Sequence, residues 1–530
     1  MIVTFRSGVR DMLNKMAKVV ILFILAAAVL SGCGGQNNKS GAEKPGEKSV
    51  KQLNVAISGD VNNWDLVKFP DGDARFVWSQ IYETLVRLDS DLKEIPGLAV
   101  SWEPSDGGRV WTFKLKKGIK FHDGTPFNAG AVKYSYSERA DVIKRKMIPI
   151  TEIQTPDDYT VKFILSRPVP LPSYFTHVAW PVMSPGSVDD KGQFKGPAGT
   201  GPYKLAKHLR DQEIVLVRNE DYHAAKGTLD KVVFKVIPDA SARVMALQSG
   251  QVDMAIKLNE SDTGRLMNDP SIKIYRKLSI FTDFMQFNTK KQPLDDVSVR
   301  RAIALAVDSE KIVRELLSGI GVPAMGRPLS PAMKYSDKSL QTVPDPQKSR
   351  ELLAAAGWRD ANGDGVVEKN GTLLEIKALL SPWSPREKIE AEALQAQLKS
   401  VGIDMKVQLM ESGALSAAEN HGDFDVLLRS GYLTWGDYPH HLKIHTSKHM
   451  YSHWANQQYD NLIMQGESAS LDDEAKKKIY RQTQQLIMEE VPAVYLIHEE
   501  KVVAARNYVK DYQITAEDPW LNLAGIEIEK

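Results

Sequence analysis

The chain has a single cysteine, Cys33, in 530 residues, so no disulfide can form within it. Its fold must be held by buried apolar packing, and a chain this long buries enough surface to manage without cross-links. One hydrophobic core rarely organises so many residues, so two or more lobes are expected. Basic and acidic residues number 68 and 67 and are interspersed, leaving a formal net charge of +1. No basic stripe marks a nucleic-acid groove, and no polybasic run marks a lipid-headgroup surface. Composition bounds the class and names no activity.

The position of Cys33 says more. Lys15 and Lys18 precede an apolar run from Val19 to Leu30, and Leu30-Ser31-Gly32-Cys33 follows. A positive stretch, a short apolar stretch and small residues before a cut describe a signal peptide. A helical run of that length covers roughly 18 Å at about 1.5 Å per residue, short of the about 30 Å that a membrane span needs. Residues 1–32 therefore read as a leader, with the residues before Met12 or Met16 a long start. Leu30 to Cys33 resembles the lipobox of bacterial lipoproteins. That resemblance implies an acylated Cys33 as mature N-terminus, anchored outside the cytoplasm on a cell surface or a periplasmic leaflet. Residues 33–51 read as a flexible tether, because 34–50 contain, besides Pro45, one apolar side chain larger than alanine and cannot offset their ordering entropy.

Folded sequence begins with the alternating strand Gln52–Ile57. Further strand-like runs are Val110–Leu115, Val161–Ile164, Glu213–Val217 and Val232–Ile237, with helical period from Ser241 to Ser249. The second half carries helical period over Val297–Ala306, Glu310–Leu317, Pro346–Ala356, Pro385–Val401 and Asp472–Glu489. Strand-like Leu374–Leu379, Met405–Gln408, Phe424–Leu428 and Ala493–Ile497 lie between and after them. This order suggests α/β lobes, with the chain returning to the first near its end. Asp123-Gly124 reads as a hairpin turn, and Gly199-Thr200-Gly201-Pro202 as a turn where backbone passes close to a neighbour or ligand. Asp360 to Gly365 opens like a calcium loop, but Gly371 stands where the bidentate glutamate belongs, so a tight polar turn is expected.

Several of these segments together resemble the peptide/nickel family (family 5) of solute-binding proteins that serve ABC importers. They include Leu98-Ala99-x-Ser101-Trp102, Gly118 to Ala129, Gly199 to Tyr203 and Arg218 to Tyr222. Phe287-Asn288-Thr289, Val299 to Ile303, Ala306-Val307-Asp308, Ala354 to Trp358 and Trp454 to Ile463 extend the likeness over nearly the whole mature chain. The resemblance implies a two-lobed, α/β, periplasmic-binding-protein-like fold of type II, in its large cluster C form. It places lobe one at 52–285 plus 497–530, with an extra subdomain at about 70–195, and lobe two at 286–496. The lobes are joined by two strands and close on solute.

Cargo contacts are expected after the strand Phe424–Leu428, because ligands in open α/β sheets bind beyond the carboxyl ends of strands. Trp435, Asp437 and Tyr438 lie there. In peptide-binding members a similar aspartate pairs with the ligand's ammonium, and Asp437 matches it; a helix cap or surface aspartate is the plainer reading. Arg139 and Arg429 are candidate partners for a ligand carboxylate, and His177, Trp180, Phe284 and Trp383 are candidate cleft walls, with core packing the alternative. His440, His441, His445, His449 and His453 are five of eleven histidines. On a helix the last four share one face and suit nickel, copper or zinc. His453 follows Trp435 by the eighteen residues that separate the corresponding pair in nickel-binding members. Trp180, however, stands where those members carry a chelate-gripping arginine.

Three functions are weighed. The first is capture of a short peptide, in monomeric form, for delivery to an ABC permease and its ATPase, with no cofactor required and no chemistry on the cargo. The second is the same role with nickel or another metal chelate as cargo. The third is an extracytoplasmic metallohydrolase, against which stands the absence of a His-Glu-x-x-His or Gly-x-Ser-x-Gly motif.

Overall fold

The computed structural model describes residues 50–66, 73–139, 148–381, 385–430, 440–449, 453–468, 471–516, 521–523 and 525–530. The leader, Cys33 and the tether as far as Ser49 lie outside them, as do Trp383, Trp435, Asp437, Tyr438 and the side chain of His440. Eleven strands form one sheet. In chain order they are β1 (Gln52–Ile57), β2 (Tyr203–Leu209), β3 (Glu213–Arg218), β4 (Lys231–Val236), β5 (Met254–Ile256) and β6 (Ile272–Phe287), then β7 (Val322–Pro323), β8 (Glu375–Leu380), β9 (Asp404–Leu409), β10 (Val426–Arg429) and β11 (Ala493–Arg506). Their order across the sheet is β9-β8-β10-β6-β11-β5-β1-β4-β3-β2, with β7 beside β11.

The sheet has two parallel centres. β1 lies parallel between β4 and β5, and β8 lies parallel between β9 and β10. Each alternates at its start, with Gln52 and Asn54 in β1 and Glu375 and Lys377 in β8 turned from the core, and ends in a buried apolar run, Val55–Ile57 and Ala378–Leu380. Between them run the long antiparallel strands β6 and β11, which belong to both halves. Ile272 to Leu278 pair with Arg506 to Glu500, and Phe284 to Gln286 pair with Tyr495 to Ala493. In between the ladder breaks: Ser279, Ile280 and Phe281 all stand opposite Glu499, and Leu496 is skipped on the other strand. Such bulges bend a strand and free its backbone groups.

Buried side chains gather on either side of that break. Leu53, Val55, Phe234, Met254 and Val503 belong to one core, with Val244, Leu247 and Leu266 in a smaller one beside it. Met285, Ile303, Leu379, Leu394 and Leu496 fill cores on the other side, as do Phe284, Tyr459 and Tyr495. The result is a two-lobed α/β fold. A separate four-stranded antiparallel sheet, spanning Ala99 to Leu165, packs through Phe113, Phe163, Phe175 and Tyr136; the last two rings stack 5.0 Å apart.

Both glycine turns have structural causes. Gly124 sits at φ +86°, and the Thr125 amide donates to Asp123 Oδ1 at 3.0 Å. At the second turn the backbone passes against the end of helix α1 (Ala74–Ile81). The Gly201 amide donates to the Ile81 carbonyl at 2.9 Å. A Cβ on Gly201 would stand 2.5 Å from the Gln80 carbonyl oxygen, and one on Gly199 would overlap that of Ile81. Gly201→Ala is therefore expected to destabilise the protein by about 1–3 kcal/mol, the usual cost of overpacking. A chemical denaturation midpoint equal to wild type would show that the turn tolerates a side chain.

Candidate functional site

Three buried arrangements meet at the break between β6 and β11. The first is on the first lobe. Asp73, 3% exposed, stands just before α1 without capping it, and its carboxylate collects the Ser58 and Gly59 amides at the carboxyl end of β1, together with the Ser58 hydroxyl at 2.7 Å. The Lys257 ammonium pairs with its other oxygen at 2.6 Å. Burial alone would raise this carboxyl, but Lys257 and the Ser58 donors hold it below its ordinary value. Lys257 follows β5 in the left-handed region, at φ +52°. That costly conformation is fixed by Arg243, which donates to the carbonyls of Ile237 and Pro238 at 2.7 and 2.9 Å, and to those of Ile256 and Lys257. A cation is thus presented at a strand's carboxyl end.

The second arrangement crosses between the lobes. Arg386 opens helix α3 (Pro385–Lys399) of the second lobe. Its guanidinium reaches Glu260 at 2.7 Å, on helix α2 (Glu260–Leu266) of the first lobe, Asp283 of β6 at 3.1 Å and Glu499 of β11 at 3.4 Å. Glu390, one turn along α3, is fully buried beside them. Burial would lower the Arg386 pKa, but the carboxylates around it hold it well above its ordinary value.

The third element is a cavity of about 170 Å³, lined by Phe76 and Lys257 from the first lobe, Phe281, Glu499 and Lys501 from the crossing strands, and Arg386 from the second. Lys257 and Lys501 each place their ammonium 5.8 Å from the Phe76 ring, within cation–π range. Charges of both signs around an aromatic face can orient a ligand that carries both. A larger cavity of about 410 Å³, between Glu83, Tyr222 and Leu521, is lined by first-lobe residues throughout.

The structure places the expected residues as follows. Arg139 makes a two-pronged ion pair with Asp65, with Nε at 2.7 Å. Arg429 pairs with Glu419 and donates to Gln286 at 2.8 Å, just before the undescribed 431–439. Trp180 and Phe284 are each 1% exposed, and His177 is 5% exposed; all three sit in cores. Phe284 packs against His445 and Tyr495.

The expected histidine face does not form. The helix that starts at His440 ends at Lys443, so His441, His445, His449 and His453 do not share one helical stripe. The Tyr459 hydroxyl donates to the Leu442 carbonyl at 2.7 Å, and the Ser447 amide turns to Asp460 at 2.9 Å. His441 meets the Ile280 carbonyl at 2.8 Å, His445 meets the Tyr495 hydroxyl at 2.7 Å, and His453 meets the edge of Phe424. Among the described residues no group of three or more His, Cys, Asp or Glu side chains is placed to hold a metal ion. Sequence reasoning missed Arg386, Asp283, Glu260, Glu390 and Glu499. The one local signal was Arg386 and Glu390, four apart on a helix.

The model of "Bacterial extracellular solute-binding proteins, family 5 Middle" matches residues 93–449. The chain is 28% identical to the oligopeptide-binding protein AppA of Bacillus subtilis, over 94% of this chain and 96% of that one. The AppA structure in complex with a nonapeptide covers 91% of this chain and all of its own, with TM-score 0.74 and 26% identity. The nickel-binding periplasmic protein of Escherichia coli is 30% identical over 68% of this chain and 71% of its own. NikA from Brucella suis, in complex with Fe(III)-EDTA, shares the fold with TM-score 0.83 at 24% identity, covering 90% of this chain and all of its own.

Burial pushes His441 down to about 4 and His445 down to about 3. Their unfolded values lie near 6.5, so the folded state binds fewer protons than the unfolded chain below that pH. Their contribution is intact above about pH 6.5 and lost on acidification, at on the order of 1.4 kcal/mol per pH unit for each histidine. Stability of the wild type measured from pH 7 to 5 should fall more steeply than that of His445→Gln. Parallel profiles would show that His445 takes up its proton without unfolding.

Proposed function

The chain belongs to family 5 of the bacterial extracellular solute-binding proteins, and from that premise we propose that it captures short peptides between its two lobes and passes them to an ABC permease and its ATPase. The observation that carries this reading is the junction cavity, where Lys257 and Arg386 stand among carboxylates beside an aromatic face. Opposite charges a short distance apart suit a zwitterion, and partial exclusion of water strengthens each polar contact. Likeness to an oligopeptide-binding protein along almost the full length of both chains supports the same cargo. The cargo leaves chemically unaltered.

The lobes in this reading are 52–285 plus 497–530, with the extra subdomain at about 70–195, and 286–496. Segregation of the buried cores about the β6–β11 break supports that division. Asp437, matched to the ammonium-binding aspartate of peptide-binding members, and its neighbours Trp435 and Tyr438 complete the cargo site from the second lobe. Nickel or a metal chelate is the second cargo, supported by the nickel-binding relative.

Isothermal titration separates the two. A mixture of di-, tri- and oligopeptides should release heat with metal-free protein, and Asp437→Ala should weaken binding by roughly thirtyfold or more, matching the 2–5 kcal/mol that a lost buried charge partner costs. Heat from nickel or its EDTA chelate alone, abolished by His453→Ala, would overturn the peptide assignment.

We also propose that Cys33 carries the lipid that holds the protein at the outer face of the cell membrane. No helix among the described residues is long and apolar enough to cross a membrane. Cells expressing the protein should incorporate labelled palmitate into it, and Cys33→Ser should abolish the label. Label retained in that variant would refute the anchor.

A further inference from the structure

The Arg386 cluster crowds carboxyl groups about one guanidinium. One guanidinium faces four carboxyl groups, Glu260, Asp283, Glu390 and Glu499, contributed by α2, β6, α3 and β11. Asp283 and Glu390 are each 0% exposed. No N–H or O–H group among the described residues donates to either oxygen of Glu390, although its carboxyl lies against that of Asp283. Two ionised carboxylates cannot share a dry site, whereas a protonated one donates to the other. Among the described residues the other charged groups around the junction are Lys257, Lys501, Glu500, Arg429 and Glu387. Lys257 is paired with Asp73, Glu500 is occupied by Arg276 and the Gly321 amide, and Arg429 is engaged with Glu419. Glu387, next to Arg386, accepts the Ser381 and Ser430 amides at 3.2 and 3.1 Å.

We propose that this cluster is a proton-operated latch across the lobe junction: the Asp283–Glu390 pair holds a proton while α3 is docked on the crossing strands and on Glu260, and gives it up when the lobes part. The latch sits where the β6–β11 ladder is broken, so lobe movement changes its solvation directly. Burial pushes Asp283 up to about 7 and Glu390 up to about 8, with the Glu387 carboxyl also raised to about 7. Separation of the lobes returns water to these groups and lowers their proton affinity. The docked arrangement is therefore favoured below about pH 7 and lost as pH rises through 7 to 8. Cargo capture that closes the lobes takes up a proton, and release above neutral pH is eased. This rests on the two-lobed fold and not on the identity of the cargo.

The test uses no ligand. Spin labels at Glu152→Cys on the first lobe and Glu351→Cys on the second, in the full chain with Cys33→Ser, report the inter-lobe distance by pulsed dipolar spectroscopy. The distribution should shift between pH 6 and 9 with a midpoint near 7–8. Glu390→Gln keeps a neutral hydrogen-bonding group at every pH and should hold the low-pH distribution up to pH 9. Asp283→Asn, as an independent variant, should do the same. A pH-invariant wild-type distribution, or a transition that persists in both folded variants, overturns the latch.

Discussion

The structure depends on one pair of strands. β6 and β11 are paired along both ends, and between them the register shifts twice, leaving Ser279 to Phe281 without ladder partners, where the two groups of cores meet. The gap leaves backbone carbonyls that must find partners. Second-lobe side chains supply them: the Ser330 hydroxyl donates to Ser279 at 2.5 Å, and His441 takes the Ile280 carbonyl. Across the strands, His498 meets the Thr282 hydroxyl at 2.9 Å. The break is thus stitched by side chains rather than by ladder bonds. Side-chain partners can be exchanged singly, which a continuous ladder does not allow.

That design explains which parts of the fold were legible in the sequence. Gln52–Ile57, Val297–Ala306 and the helix from Pro346 follow local period, because each buries one face or runs fully apolar between recognisable caps. β6 escaped notice. Its first half carries Lys273, Arg276 and Lys277 on a half-exposed ribbon, and its second half is buried on both faces while containing Asp283 and Gln286. Neither half alternates, so no period of two survives. A strand shared by two lobes has two environments, and a pattern search for one environment finds neither.

The site was less legible than the fold for a related reason. The histidine spacing of four is a true helical signal, yet Tyr459 and Asp460 capture the backbone of the histidine segment and stop the helix after one turn. Tertiary hydrogen bonds outbid local period there. The Arg386 cluster, in contrast, draws its carboxyls from four segments far apart in sequence, and none is unusual in its own surroundings. A surface glutamate and a buried glutamate look alike until the strands that bury them are known.

Burying an arginine among four carboxyls is a poor way to stabilise a junction. Taking such charges out of water costs several kcal/mol per ion, and apolar replacements of similar volume commonly equal or exceed a buried ion group in stability. The neighbouring cores show what the chain does where stability is the aim: Met285, Leu379 and Leu496 pack dry, close to the same crossing. A polar cluster at the one place where the ladder is already open therefore serves movement. Apolar side chains have a single preferred state, packed together. Carboxyls and a guanidinium admit two, one docked with a shared proton and one solvated and ionised, and a hinge needs two.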